Sequence, residues 1–289
     1  MQELLASAAS CLREAQRRDL NLAQRLRAVS QLAQATDQLF LTGAAHTHDQ
    51  ATEIAAAVAL LLQEANQLVQ RELAPLFLQR RIYLAPVEQL GEQQRGWLFG
   101  YFRKRIYPLL TPLAVDPSHP FPYISSDSLN LLILLQRPGR IGVHTAHTLY
   151  ARLKVPRQVV PRLIQVPPLA KVDSPALHDD GDVTYWVWSE DVVRYFVHEL
   201  FAGMSVTGIY QFRVLRAPLT YDGAEIAQSE LVRDPTARVV RLDVQREMPP
   251  VVLQWLVARL AAPAHALFRC ATPLGMASWA DVANRIHLV

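Results

Sequence analysis

The chain has 289 residues, of which 51% are hydrophobic and 19% charged, and its formal net charge is +3 with a pI near 9.0. That is the composition of a folded protein with one large domain or two ordinary ones, and so mild a basic excess does not by itself demand a nucleic-acid or phosphate partner. The apolar run around Ala55 to Leu62 is far too short to span a bilayer, and the opening residues carry Glu3 and no basic start, so no secretory signal is expected from them.

The first hundred residues are rich in Ala, Leu, Gln and Arg, all good helix formers. Leu22, Leu26, Val29, Leu32, Thr36 and Leu39 recur at helical spacing, with Asn21 and Asp19 as equal candidates for the cap. A second stripe runs through Ile54, Val58, Leu61, Ala65 and Leu68 and continues to Leu73 and Leu76. With a break between Thr42 and Gln50, the two stripes predict an antiparallel helical pair. A third helix is expected from Gly91 to Ile106.

Next comes TPLAVDPSHPFP, Thr111 to Pro122, with four prolines in twelve residues. Each proline fixes φ, removes a donor and restricts the residue before it, so this segment is a stiff connector, neither helix nor central strand. Beyond it the pattern changes. Strands are expected at Ser128 to Gln136, Thr148 to Lys154, Pro161 to Val166, Ser205 to Arg216 and Val239 to Val244. Helices are expected at Ser189 to Phe201, Pro249 to Leu260 and Met276 to Arg285, and a polar loop at Pro167 to Asp182. The predicted fold class is α+β: an amino-terminal antiparallel helical domain, residues 1–107, then an α+β head domain, residues 108–289, with a mixed or antiparallel sheet.

Signals of chemistry are sparse. His144 and His147 lie in strand-and-turn sequence without a nearby carboxylate or thiol, and His46 and His48 lie in a loop, so no metal site is assigned. Asp222 with Glu225, and Asp179 with Asp182, read as solvated loop charge. Cys11 and Cys270 are far apart in sequence and suit a reducing, cytoplasmic setting. No phosphate-cradling glycine loop occurs. Basic clusters are more suggestive: Arg80 and Arg81, Arg103 to Arg105, and Arg152, Lys154, Arg157 and Arg162. Alternate strand residues face one side, so Arg152, Lys154 and Arg157 are the candidates for binding a phosphate-rich ligand.

The wording of several segments resembles the long bacterial polyphosphate kinases. YFRKRIYPLLTPLAVDP (Tyr101 to Pro117), SLNLLILL (Ser128 to Leu135), ARLKVPRQVVPRLIQVP (Ala151 to Pro167), LFAGMSVTGIYQFRVLR (Leu200 to Arg216), VVRLDVQREMPP (Val239 to Pro250) and TPLGMASWADV (Thr272 to Val282) are similar to family segments in the same order. The resemblance covers most of the chain and implies the amino-terminal and head (middle) domains of that family. It implies ATP and magnesium as the parent family's cofactors, with none assigned to this chain. It also implies a homodimer or a separate catalytic chain as partner, with polyphosphate as a ligand.

Two departures shape the expected function. The family continues past the head into two carboxy-terminal domains with the phosphorylated histidine, phosphate-gripping arginines and metal site, and no histidine here matches that nucleophile. The resemblance therefore assigns no catalytic residue and no metal ligand to these 289 residues. Second, the family's approximate R-L-K-F-L-A-I-F-S-S-N-L-D-E-F-F, whose Asn contributes to the nucleotide pocket, reads RLRAVSQLAQATDQLF here, Arg25 to Phe40. Arg25, Leu26, Arg27, Asp37 and Phe40 agree, whereas Ala35 replaces the Asn and Gln38 the Glu. An alanine methyl makes no hydrogen bond. Asp37 is then the one candidate contact left for a nucleotide. The expectation is a non-catalytic module for dimerisation, partner binding or polyphosphate binding; the alternative is one part of a split ATP:polyphosphate phosphotransferase.

Overall fold

A computed structural model of the chain describes residues 2–42, 47–115, 121–137, 148–167, 183–217 and 237–286. In chain order come α1 (Gln2–Gln16), α2 (Leu22–Thr42), α3 (His48–Leu68) and α4 (Ala74–Gln79). Then follow β1 (Ile82–Leu84), α5 (Glu92–Tyr101), β2 (Leu113–Val115), β3 (Ser128–Gln136), β4 (Leu149–Lys154), β5 (Leu163–Val166) and β6 (Thr184–Trp188). The chain closes with α6 (Ser189–Phe196), β7 (Ser205–Ala217), β8 (Arg238–Gln245), α7 (Pro250–Leu260), β9 (Leu267–Cys270) and α8 (Trp279–Ile286). The α+β class holds, and the sheets are mixed: β1 with β6 and β8 with β9 are parallel, while β2 with β4, β3 with β4, β5 with β6 and β7 with β8 are antiparallel.

Two compact units interleave along the chain. One holds Met1–Arg71, Phe121–Leu129 and Tyr210–Val289; the other holds Glu72–Pro120 and Asn130–Ile209. In the first unit α2 is buried on most of its circumference, because α1, α3 and α8 all pack on it. The predicted stripe Leu22, Leu26, Val29, Leu32, Thr36 and Leu39 is buried throughout. Its main partner is α1, rather than α3 as the two stripes suggest. Small buried residues, Ala8 and Ala15 on α1 with Ala23 and Ala28 on α2, let those two backbones approach closely.

Asn21 supplies the cap of α2: its Oδ1 accepts from the Gln24 N–H (2.9 Å), and its own N–H donates to Gln24 Oε1 (3.0 Å). Asp19 instead pairs with Arg17 on the surface. Thr47 and Gln50 form the same reciprocal box at α3. The second stripe does continue past Leu68, through a wide π turn, Val69–Leu73, into α4. Pro75 lacks the N–H that would bond back one turn, and the widened turn accommodates that loss. At the far end of α7, Ala261 adopts a left-handed conformation (φ 50°) that a β-carbon disfavours. Ala261→Gly is expected to stabilise the protein by roughly 0.5–1 kcal/mol in chemical denaturation; a loss of stability would show that the methyl packs usefully.

In the second unit one set of strands runs β2–β4–β3, and a separate three-stranded sheet is ordered β1–β6–β5. Most of β3 is buried, which explains the apolar run Leu131 to Leu135. Phe77, Leu98, Phe102, Ile106, Val187 and Val192 fill the core of this unit. The elements not expected from sequence are α1 and the short strands β1, β2, β6 and β9. Residues 168–182, within the predicted polar loop, lie outside the described residues, as do His46, His144, His147 and the pairs Asp179/Asp182 and Asp222/Glu225. None of the described helices is long and apolar enough to cross a membrane.

Candidate functional site

The polar centre of the first unit lies where α2 meets β7 and β8. Arg213 on β7 and Arg241 on β8 are 3% and 4% exposed. Two buried guanidiniums require counter-charges, because unpaired ions in a protein interior are very costly. Asp37 on α2 supplies them. Its Oδ1 accepts from Arg213 Nη1 (3.2 Å) and Arg241 Nη1 (3.0 Å), and its Oδ2 takes a very short bond from Arg213 Nη2. Asp243 bridges the same pair, accepting from Arg213 Nη1 (2.9 Å) and Arg241 Nε (2.8 Å). Asp127 completes the cluster by accepting from Arg213 Nε at 2.7 Å. To do so it sits at φ 51°, a conformation that Asp tolerates better than most residues.

The electrostatics follow from this geometry. Burial opposes ionisation of Asp243, but Arg241 and Arg213 outweigh it and hold its carboxyl below the ordinary range. Burial likewise opposes the charge of Arg213, yet Asp37, Asp127 and Asp243 together raise its pKa. Nearby Cys270 is pushed up to about 12 by burial and then by Asp243, so its thiol stays protonated. Every carboxylate of the cluster is committed to guanidinium.

This placement decides what the eroded α2 segment does. The Arg25 guanidinium Nε donates to the Ala15 carbonyl at the end of α1 (2.6 Å). Asp37 is locked by two arginines, and Phe40 meets Phe268 edge-on with ring centroids 5.4 Å apart. These residues, which keep the resembling pattern, build the fold. Of the polar positions that changed, Gln34 and Gln38 are exposed and Ala35 is half-buried, whereas Ala33, at the first Ser position, is buried in the core. Both carboxylate oxygens of Asp37 are ion-paired.

The second unit carries the basic candidates. Arg152 and Lys154 fall two residues apart on β4 and therefore on one face; Lys154 sits in register with Asn130 of β3, and Arg152 with Leu113 of β2. Arg152 is 8% exposed and its Nε donates to Asn130 Oδ1 at 2.8 Å. Burial lowers its pKa to about 10. Lys154 is exposed, and its pKa is lowered by partial burial and then by the charge of Arg152. Both remain cations at neutral pH. Arg157 lies past the strand, in a turn where its N–H donates to the Val155 carbonyl (2.9 Å). Arg162, fourth in the same sequence cluster, is committed elsewhere: its Nη2 meets Glu190 Oε1 at 2.7 Å, both side chains almost wholly buried. Proximity in sequence could not separate Arg162 from the others; only the buried glutamate does. Among the described residues no group of three or more His, Cys, Asp or Glu is placed to hold a metal ion.

Comparisons with known proteins accord with this architecture. Residues 93–282 match the family model described as the polyphosphate kinase middle domain. Curated relatives include a polyphosphate kinase of Aphanizomenon baltica, 32% identical over 86% of this chain and 64% of its own length. Another, from Parasynechococcus marenigrum, is 33% identical over 75% of this chain and 30% of its own. The Streptomyces coelicolor protein of that name is 36% identical over 65% of this chain and 24% of its own. The chain thus spans between a quarter and two thirds of these relatives. A crystal structure of polyphosphate kinase from Porphyromonas gingivalis superposes on 96% of this chain and 39% of its own, with a TM-score of 0.75 at 20% identity, a likeness of fold. With the middle-domain match covering well over half its residues, the chain belongs to the polyphosphate kinase family.

Proposed function

We propose that this chain is a non-catalytic polyphosphate-kinase module whose working surface is a basic strand face that binds polyphosphate. The observation that carries the reading is the Arg152–Lys154 pair on one face of β4: Lys154 is exposed, and the buried Arg152, held by Asn130 Oδ1 at 2.8 Å, adds its charge behind it. Adjacent positive charges suit a ligand with a phosphate at every repeat. Arg157, in the following turn, extends the path for the same ligand. The nucleotide side of the reading rests on Ala35 and on Asp37, whose oxygens are engaged by Arg213 and Arg241. Residues 1–107 serve in this proposal as the helical module and 108–289 as the head-like module, acting in the cytoplasm as a homodimer or with a separate catalytic chain.

Calorimetry at near-physiological salt, with long-chain polyphosphate and with magnesium ATP, tests it. Polyphosphate is expected to bind and magnesium ATP not to. The double variant Lys154→Gln/Arg157→Gln is expected to weaken polyphosphate roughly tenfold or more, since a hydrogen bond to a charged group contributes ~1.5–3 kcal/mol. Binding of neither ligand sinks the reading.

A second reading is favoured by the length of the relatives, which extends well beyond the matched stretch. In it this chain is one part of an ATP:polyphosphate phosphotransferase and works with the remaining domains, on the same or a separate chain. Phosphoryl transfer depends on positioning and charge stabilisation, which assembled parts supply together. Binding of both ligands, with turnover once the remaining domains are added, would select it.

A further inference from the structure

Within the first unit, a cavity of about 280 Å³ opens between the end of α2, the start of α3, the start of β8 and the turn before β9. Its walls are apolar, built by Leu39, Phe40, Ile54 and Val240. Its polar groups are few and of one kind. His48 is the first residue of α3, His265 sits in the turn Ala264–Ala266, and Arg238 opens β8. The two imidazoles meet edge-on with ring centroids 5.3 Å apart. His265 Nδ1 is buried and lacks a hydrogen-bond partner in this structure, and buried polar atoms in folded proteins are normally partnered. Among the described residues no carboxylate lies within ion-pair distance of Arg238, and none lines the cavity.

An apolar chamber with a few convergent cationic groups has the composition of a small-molecule site. We propose that this cavity binds a small organic monoanion with a compact apolar body, a carboxylate of the benzoate or short-chain aliphatic class. Arg238 and the two imidazoles receive the carboxylate, and the body lies against Leu39, Phe40, Ile54 and Val240. Size supports the class: a dry cavity of ~150 Å³ admits benzene, so one of about 280 Å³ holds a substituted ring and not a nucleotide. The walls select against inorganic phosphate or a polyphosphate end, whose whole surface would need hydrogen bonds that apolar side chains do not offer. This site is independent of the basic face on β4.

The proposal also fixes a pH dependence. The charged or titratable groups facing His265 are His48 from α3 and Arg238 from β8. Burial and then these neighbours lower the His265 pKa, so in the free protein the ring is neutral at and above neutral pH. A bound carboxylate favours the imidazolium, so affinity rises as pH falls.

The test is a benzoate titration of the intact chain, read from the imidazole resonances of His48 and His265 at pH 6 and pH 8. Saturable shifts at low-millimolar benzoate are expected, several-fold tighter at pH 6, with benzyl alcohol at least tenfold weaker. Arg238→Gln is expected to weaken benzoate about tenfold, and His265→Gln to remove most of the pH dependence. Ile54→Trp, which fills the chamber without touching its charges, is expected to abolish binding. If one of these variants does not fold, the others carry the test. Absence of saturable shifts, binding indifferent to Arg238→Gln, or equal affinity for benzyl alcohol would each overturn the proposal.

Discussion

Replacing Arg213 with Leu is expected to destabilise the protein by about 3–5 kcal/mol, the usual cost of removing one partner from a buried ion pair. Arg213 is 3% exposed and meets three carboxylates, Asp37, Asp127 and Asp243. Without it Asp37 and Asp243 share Arg241 alone, and Asp127 loses its partner in the cluster. Equilibrium urea unfolding at pH 7 measures the loss. Arg213→Lys should fall between, since an ammonium keeps the charge but cannot serve three carboxylates from one planar fork. The effect carries a pH signature. Asp243 has a folded pKa below its ordinary value, so it adds stability above its unfolded pKa of about 3.9 and loses it as pH falls through the folded value. Arg213→Leu removes part of that depression. The stability gap between wild type and variant is therefore full at pH 7 and narrows below about pH 4. A gap under ~1 kcal/mol at pH 7 would show that the cluster is only decorative.

The second large effect belongs to Arg162 and Glu190, whose Nη2 and Oε1 lie 2.7 Å apart with side chains 2% and 0% exposed. The Nε of Arg162 reaches the same oxygen at 3.0 Å, and its guanidinium lies 5.2 Å from the Trp188 ring centroid. Arg162→Met or Glu190→Leu alone strands a buried charge and is expected to cost about 3–5 kcal/mol. The joint replacement Arg162→Met/Glu190→Leu fills the same space without charge and is expected to recover most of that loss. A double-mutant cycle by denaturant unfolding decides it, and additive losses would mean that the two side chains act independently.

Long segments were legible where a helix face or a strand has a distinctive pattern of residue types. The stripe of α2, the apolar run of β3 and the alternation in β7 each stand where their patterns place them. Strands β1 and β9, with three and four residues, are too short to show a period, and β6, TYWVW, has no alternation of polar and apolar residues. The chemistry was less legible than the fold. Asp37 is a candidate nucleotide contact only through the resemblance of its segment, and its arginine partners, 176 and 204 residues away in sequence, show in no local pattern. Arg152 and Arg162 look alike in a basic cluster, yet one meets an amide and the other a buried carboxylate. The cavity between His48 and His265 draws its lining from α2 and α3 near one end of the sequence and from β8 and the turn before β9 near the other, which no local pattern reveals.

The interleaving of the compact units has a bearing on inheritance. The chain passes between them at residues 71/72, 120/121, 129/130 and 209/210. A gene cut at residue 107 would give one product with Asp37 but neither Arg213 nor Arg241, and another with the arginines but no α1, α2 or α3. Each product would hold pieces of both units and the whole of neither. Recombination can append sequence before or after this stretch, but a break inside it leaves two defective proteins. The interleaving predicts that this stretch tolerates recombination at its ends and not within it.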